Sequence, residues 1–141
     1  MSKRRVVVTG LGMVSPLGNS VAESWQQILE GRSGVAEINS FDTSAYATRI
    51  GASIKDFSVD EYMSAKEAKR FDPFIHYGIA AAEQALSDSG LAIQDNNAHR
   101  VGTAIGSGIG GIGLIEKSRM TIEKSGPRKL SPFTVPGAII N

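Results

Sequence analysis

The chain of 141 residues contains no cysteine and no long apolar run, and it has only two histidines. The lack of cysteine excludes disulfide bonds, thiolate zinc sites and a cysteine nucleophile within these residues, and it fits a cytoplasmic location. No segment approaches the roughly 20 apolar residues that a membrane-spanning helix needs. A net charge of +1 gives little bulk attraction to nucleic acid or membranes, so neither is expected as a partner. The composition is that of a globular protein with the length of one domain.

Glycine is abundant, with 16 residues. Some of these glycines come directly after two apolar segments that have the composition of strands. The β-branched run Arg4–Gly10 and the segment Arg100–Gly106 both predict buried strands. The alternating pattern of Arg49–Lys55 predicts a short, half-exposed strand. We expect these strands to alternate with helices in an α/β layer architecture.

Three helices are predicted between and after the strands. Ser20 is a good N-cap with Glu23 completing a capping box, and Gly31 ends this first helix. Asp72-Pro73 opens a second helix, which ends at Gly90. The third helix is closed by Gly126-Pro127. The apolar positions are Val21, Trp25, Ile28 and Leu29 in the first helix, Ile75, Ile79, Ala82 and Leu86 in the second, and Ile112, Ile115 and Ile122 in the third.

The main glycine cluster allows two interpretations. Gly106, Gly108 and Gly111 satisfy G-x-G-x-x-G between a predicted strand and a predicted helix, as in sites that bind a dinucleotide pyrophosphate. About 20 residues further on, however, an acidic residue should follow, and the chain has Ser125-Gly-Pro-Arg-Lys129 instead. Glycines also serve simply to allow sharp turns and close packing. The residues alone favour packing and leave nucleotide binding as an alternative.

Six motifs along the chain add a family resemblance. They are Val6-Val-Val-Thr-Gly-Leu-Gly-Met-Val-Ser-Pro-Leu-Gly18, Gly31-Arg-Ser-Gly34, Phe41-Asp-Thr-Ser44, Asp88-Ser-Gly-Leu91, Gly106-Ser-Gly-Ile-Gly-Gly111 and Gly126-Pro-Arg-Lys-Leu-Ser-Pro-Phe133. Their order and spacing resemble the β-ketoacyl-acyl carrier protein synthases, most closely the type II enzymes of bacterial fatty-acid elongation. The resemblance covers the whole chain.

The resemblance implies a thiolase-like layered α/β sandwich, usually a homodimer, of which residues 1–141 would form an incomplete N-terminal portion. Such acyltransferases load an acyl chain onto a cysteine and condense it with decarboxylated malonyl carrier protein. No metal or cofactor is implied. The family's cysteine and two histidines would lie beyond Asn141, so we assign no catalytic residue and expect residues 1–141 alone to be inactive. His76 and His99 are expected to be structural or surface residues.

The resemblance also implies a lining for the acyl pocket. Ile109 matches a position that gates the pocket, and its neighbours Gly108 and Gly110 would let its side chain swing. Phe133 and Thr134 match a loop that reaches the partner subunit's pocket in the family dimer. Thr134 departs from the aromatic residue expected there, which leaves the shape of the pocket open. A plain core isoleucine is the alternative for Ile109.

Basic residues are expected to bind the acidic acyl carrier protein, in its acyl- and malonyl-loaded forms. Lys66, Lys69 and Arg70 have the i, i+3, i+4 spacing of one helical face, and Arg128 and Lys129 form a second basic pair. Matching positions in the family form the docking surface. Without the resemblance, these residues would be read as a solvated charged face.

Two other classes of function stay open alongside the synthase. One is a non-catalytic partner similar to a chain-length factor, and the other is a nucleotide-binding α/β domain. We also expect that strands and helices lacking the rest of the subunit leave apolar surface exposed.

Overall fold

A computed structural model describes residues 3–140; Met1, Ser2 and Asn141 lie outside the described residues. The chain divides into two compact units. The first unit comprises the residues up to Ser58 together with Ala81–Gly90, and the second comprises Val59–Ala80 and the residues from Leu91 onward. The elements are α1 (Val21–Leu29), β1 (Ala36–Glu37), β2 (Ile50–Gly51), α2 (Ala65–Ala68), α3 (Pro73–Ser89) and α4 (Ile112–Ser125), with 3₁₀ turns at Ala98–Arg100 and Pro127–Lys129.

Helix α1 begins and ends where its sequence signals predict. The Ser20 hydroxyl accepts the Glu23 N–H at 3.2 Å, which satisfies one of the free donors at the helix start. The Glu23 carboxylate accepts the N–H of Asn19 at 2.8 Å, so the predicted capping box is formed only on the Ser20 side. At the other end Gly31 has φ +67°, a left-handed conformation that stops the helix.

A serine cluster organises the turn before α1. Ser24 is 1% exposed, and its hydroxyl donates to the carbonyl of Gly18 at 3.2 Å. The Ser15 hydroxyl therefore donates to the Ser24 oxygen, 2.8 Å away, and it accepts the N–H of Leu17 at 3.1 Å. These bonds satisfy a buried hydroxyl and fix the loop that leads into the helix.

The prediction of a buried strand at Arg4–Gly10 is wrong. No strand is formed there among the described residues, and the side chains of Val6 and Val8 are 88% and 79% exposed. A strand needs a neighbouring strand to take its N–H and C=O groups, and no described segment supplies one. The N–H groups that follow are instead accepted by α3: Leu11 donates to the Asp88 carboxylate at 2.8 Å.

Close backbone packing explains the first pair of glycines. A Cβ at Gly12 would overlap the carbonyl of Ala81, and one at Gly10 would overlap that of Ala85. The N–H of Met13 donates to the Gln84 side chain at 3.1 Å. The segment therefore runs directly against the second half of α3, which is the close approach that glycine permits.

The other two strand predictions fare differently. Arg100–Gly106 forms no strand among the described residues, and most of it is exposed. This prediction is also wrong, because no described segment offers a strand that could pair with it. Arg49–Lys55 is strand-like only at Ile50–Gly51. This short strand pairs antiparallel with β1, with Ala36 opposite Gly51 and Glu37 opposite Ile50.

Helices α3 and α4 confirm the predicted boundaries but not the whole apolar stripe. Gly90 and Gly126 both have positive φ at the helix ends. The fully buried residue of α3 is Ala80, whereas Leu86 from the predicted stripe is 40% exposed. Large apolar side chains of α4, including Ile112, are also exposed, which confirms the expected exposure of apolar surface.

Candidate functional site

A groove lined by basic side chains lies within the second unit. It has a volume of about 200 Å³ and is bounded by the segment after α2, one face of α4 and the loop after Pro127–Lys129. Its apolar lining residues are Leu114, Leu130 and Phe133, and we call them the base of the groove. Its basic lining residues are Lys69, Arg70, Lys117 and Lys129, and we call them its walls. We call this site the basic groove.

The four cations of the basic groove have no carboxylate among the described lining residues. Over residues 3–140, the ion pairs are Arg32 with Glu30 and Arg119 with Glu123, and neither pair involves the groove. The positive charges are thus available to an anionic partner. Apolar contact at the base can add to this attraction, because a partner residue would lose water there.

Arg70 is held in place by an aromatic ring. Its Cζ atom lies 4.3 Å from the ring centroid of Phe133, and both residues are half-buried. A guanidinium over a phenyl face is attracted by the ring quadrupole. The contact orients Arg70 and links a charged wall of the groove to its apolar base.

The predicted docking residues are only partly brought together. Lys69, Arg70 and Lys129 line the groove, whereas the exposed Lys66 and Arg128 do not. The single helical face predicted for Lys66, Lys69 and Arg70 is wrong, because α2 ends at Ala68. Sequence reasoning missed Lys117, although Leu114, Lys117, Ser118 and Thr121 share a helical face that the 3.6-residue period would have revealed.

Helix α2 begins with a complete capping box next to the groove. The Ser64 hydroxyl accepts the Glu67 N–H at 3.3 Å, and the Glu67 carboxylate accepts the Ser64 N–H at 3.2 Å and the Ser64 hydroxyl at 2.6 Å. The side-chain hydrogen bond from Ser64, then the backbone one, and lastly the charge of Arg70 lower the pKa of Glu67. Glu67 therefore stays ionised beside the cations.

The predicted pocket residues do not line one cavity. Phe133 and Thr134 belong to the basic groove, whereas Ile109 lies in residues 106–111, which we call the glycine loop, with 75% of its surface exposed. Gly108 has no atom within 4 Å of an added Cβ, so the backbone before Ile109 is unhindered. Gly110 has φ +82°, and its Cβ would lie 2.6 Å from the Ala138 carbonyl oxygen. The expected freedom of Ile109 is thus present on its Gly108 side and absent on its Gly110 side.

An apolar cavity of about 360 Å³ lies beside the start of the glycine loop, also within the second unit. It is lined by part of α3, including Phe74 and Tyr77, and by Ile105, Gly106 and Ser107. Sequence reasoning did not single out this cavity. Its lining is suited to an apolar group rather than a charged one.

The start of α4 is unsuited to a phosphate. The N–H of Leu114 donates to the Asp72 carboxylate at 2.9 Å, and the N–H of Gly111 donates to the Ala138 carbonyl at 2.8 Å. These donors are already used, and a carboxylate occupies the position where a pyrophosphate would bind. The geometry therefore disfavours the dinucleotide interpretation of Gly106, Gly108 and Gly111.

Neither histidine has the surroundings of a catalytic base. The Nε2 atom of His76 donates to the carbonyl of Ala68 at 3.1 Å, which ties α3 to the end of α2. His99 is exposed in a 3₁₀ turn. In the described part of the chain, no group of His, Asp and Glu side chains is arranged to hold a metal ion. None of the helices between residues 3 and 140 is both long and apolar enough to cross a bilayer.

Comparison with known proteins adds evolutionary context to this geometry. The model of the β-ketoacyl synthase N-terminal domain matches residues 3–141. Over 141 residues the chain is 57% identical to 3-oxoacyl-[acyl-carrier-protein] synthase 2 of Vibrio harveyi, covering all of this chain and 34% of that protein. The chain thus spans about a third of the length of this curated relative.

Solved structures share the fold. The ishigamide ketosynthase/chain length factor matches with a TM-score of 0.78 and 25% identity, over 98% of this chain and 34% of the other. A type II polyketide ketosynthase, solved with its acyl-carrier protein and bound to a hexaketide, matches with a TM-score of 0.73 and 26% identity, over 94% and 36%. These ketosynthases have the thiolase-like fold, so the predicted fold class is confirmed. The match of the family model over nearly the whole chain shows that the protein belongs to the β-ketoacyl synthase family, within its N-terminal domain.

Proposed function

We propose that this chain is the N-terminal part of a 3-oxoacyl-acyl carrier protein synthase of fatty-acid elongation. The enzyme is an acyltransferase that carries out a decarboxylative Claisen condensation. An acyl group moves from its carrier thioester to a cysteine outside residues 1–141. Malonyl carrier protein then loses CO₂, and the resulting carbanion attacks the acyl thioester, which releases the cysteine and forms a 3-oxoacyl carrier protein. The 57% identity to the Vibrio harveyi synthase supports this assignment.

The basic groove is the structural observation that carries the proposal. Acyl carrier proteins are acidic, and the groove presents Lys69, Arg70, Lys117 and Lys129 around an apolar base. Exposed charge pairs give weak, salt-sensitive binding, which suits a partner that must be released after each turn of the cycle. The exposed cations Lys66 and Arg128 lie outside the groove and contribute to docking by steering the carrier from further away.

The acyl pocket is the second part of the proposal. Ile109 acts as its gate, moving on the unhindered Gly108 side while Gly110 stays fixed. Phe133 and Thr134 reach the acyl pocket of the partner subunit in the dimer, and their loop also supplies part of the basic groove. The complete protein is a cytoplasmic homodimer, requires no metal or cofactor, and takes acyl- and malonyl-loaded carrier protein as its substrates.

A chimera tests the proposal directly. This chain replaces the matching 141 residues of the Vibrio harveyi relative, which supplies the remainder of the subunit. We expect the chimera to form 3-oxoacyl product from acyl and malonyl carrier proteins. The unaltered relative is the control. A folded chimera that forms no product under conditions where the relative does would contradict the proposal.

A partner without a nucleophile is the second candidate. It is supported by the likeness to the ishigamide ketosynthase/chain length factor. Mass spectrometry of the natural full-length protein after incubation with acyl carrier protein separates the two. The synthase gains the mass of one acyl group on a cysteine, whereas a non-catalytic partner gains none.

A further inference from the structure

Helix α4 begins without a cap of its own. Its N-cap residue is Gly111, which has no side chain to accept the first N–H groups of the helix. The missing acceptor comes from Asp72, 42 residues earlier, whose Oδ2 atom accepts the N–H of Leu114 at 2.9 Å. A carboxylate at this position also interacts favourably with the helix dipole. Asp72 therefore stabilises the start of a helix to which it does not belong.

Asp72 joins three segments of the second unit. Besides its bond to α4, its own N–H donates to the Gly137 carbonyl at 3.1 Å, and the N–H of Gly111 donates to the Ala138 carbonyl at 2.8 Å. A Cβ at Gly111 would lie 2.9 Å from both the Asp72 Cβ and the Ala138 Cα. Gly111 is thus held between Asp72 and the turn at Gly137–Ala138, with no room to shift towards either.

Gly111, held in this way, lies two residues after Ile109. Gly110 lies between Ile109 and Gly111. It has a positive φ, and its N–H donates to the Ser107 hydroxyl at 3.0 Å. Before Ile109, neither Gly106 nor Gly108 has any atom within 4 Å of an added Cβ. Any movement of Ile109 must therefore pivot about the fixed Gly111 end of the loop.

We infer that Asp72 is a positioning residue for acyl chain-length selection, acting through Gly111 on the loop that carries Ile109. The inference rests on the proposed function, because it assumes that Ile109 gates an acyl pocket. Asp72 does not touch the substrate. Its carboxylate fixes the pivot, so that Ile109 returns to one closed position. Without it, the start of α4 loosens and the gate closes less completely, which favours long acyl chains over short ones.

The test measures selectivity in the chimera defined above. The readout is the kcat/KM for a long-chain acyl carrier protein divided by that for a short-chain one. In Asp72→Ala we expect this ratio to rise about tenfold, since a charged acceptor is lost. In Asp72→Asn an acceptor oxygen remains without its charge, and we expect a rise of about threefold.

Asp88→Ala is the matched control. The Asp88 carboxylate also accepts a backbone N–H from a remote segment, at 2.8 Å from Leu11, but both residues belong to the first unit, whereas the glycine loop belongs to the second. We expect Asp88→Ala to lower stability and to leave the ratio unchanged. Two results would overturn the inference. One is a loss of turnover in Asp72→Ala that is the same for long-chain and short-chain acyl carrier proteins. The other is a change of the long-chain to short-chain ratio in Asp88→Ala that equals the change in Asp72→Ala.

Hydrogen exchange separates failure of the inference from failure of the proposed function. We expect backbone amides in residues 105–115 to exchange faster in Asp72→Ala than in Asp72→Asn, and faster in both than in the unaltered chimera. An inactive but folded unaltered chimera contradicts the proposed function and with it the role in chain-length selection, and the exchange then tests only whether Asp72 holds the glycine loop in place. If Asp72→Ala does not fold, an unchanged ratio and unchanged exchange in Asp72→Asn overturn it.

Discussion

The contact between Arg70 and Phe133 yields a quantitative prediction about carrier docking. The guanidinium lies 4.3 Å from the ring centroid at the wall of the basic groove. The ring limits the rotamers of a side chain that otherwise has about 2 kcal/mol of conformational entropy to lose on binding. If the ring removes about a third of that cost in advance, replacing it weakens docking by about 0.7 kcal/mol, or roughly threefold.

The perturbation is a double-mutant cycle in the chimera, with Arg70→Met and Phe133→Leu. Arg70→Met removes the charge and keeps the length of the side chain, and we expect it to weaken carrier binding about tenfold at low salt. Phe133→Leu keeps an apolar contact and loses the ring, with a loss of about threefold. The double variant should bind about as weakly as Arg70→Met, because the ring acts through Arg70.

The assay is calorimetric or surface-based titration with acyl carrier protein. A binding titration measures the docking free energy directly and needs no model of unfolding. Arg119→Met is the control, since Arg119 lies on α4, pairs with Glu123 at 2.6 Å and does not line the groove. We expect less than about a twofold change there. Additive effects of the two groove variants, within about 0.5 kcal/mol, would show that the ring does not act through Arg70.

Three further predictions concern the groove, the packing of the first unit and the cap of α2. The affinity for acyl carrier protein should fall steeply as the salt concentration is raised, and it should fall less steeply in Lys129→Gln. The same salt dependence in the unaltered chimera and in Lys129→Gln would argue against docking in the groove. Gly12→Ala should lower the stability of the chimera by more than about 2 kcal/mol, because its Cβ meets the Ala81 carbonyl; an unchanged thermal midpoint would show that the close approach is absent. Glu67 should titrate below the ordinary glutamate pKa of about 4.3 by NMR, and Ser64→Ala should bring its pKa back up. Because the pKa of Glu67 is lowered in the folded state, the stability that the cap contributes is fully present above the ordinary glutamate pKa. This stability is lost as the pH falls through the lowered pKa. The same Glu67 pKa in the unaltered protein and in Ser64→Ala would contradict this prediction.

Local signals in the sequence predicted the helices well. The serine cap at Ser20, the proline at position 73 and the glycines at positions 31, 90 and 126 act within one or two turns of chain, where backbone sterics and nearby donors dominate. The helices therefore begin and end as predicted, and the order of the motifs identified the family.

The strands were the weakest of these predictions. A β-branched run such as Val6–Val8 carries the right propensity, but a strand exists only with a neighbour to complete its hydrogen bonds. The described residues provide such a neighbour only for Ile50–Gly51. The apolar stripe of α3 failed at Leu86 for a related reason, since burial depends on what packs against a helix rather than on its own period.

Patterns in the sequence were enough to predict the family, the helix boundaries and the set of basic residues that we propose as a docking surface. Which basic residues meet depends on the fold: Lys117 joins Lys69, Arg70 and Lys129 in one groove, while Lys66 and Arg128 lie outside it. The fold also brings the Asp72 carboxylate to the start of α4, where it accepts the N–H of Leu114. The physical reason is the same in each case. Capping and turn formation depend on residues a few positions apart, whereas a groove or a remote cap depends on distances between segments that no local pattern encodes.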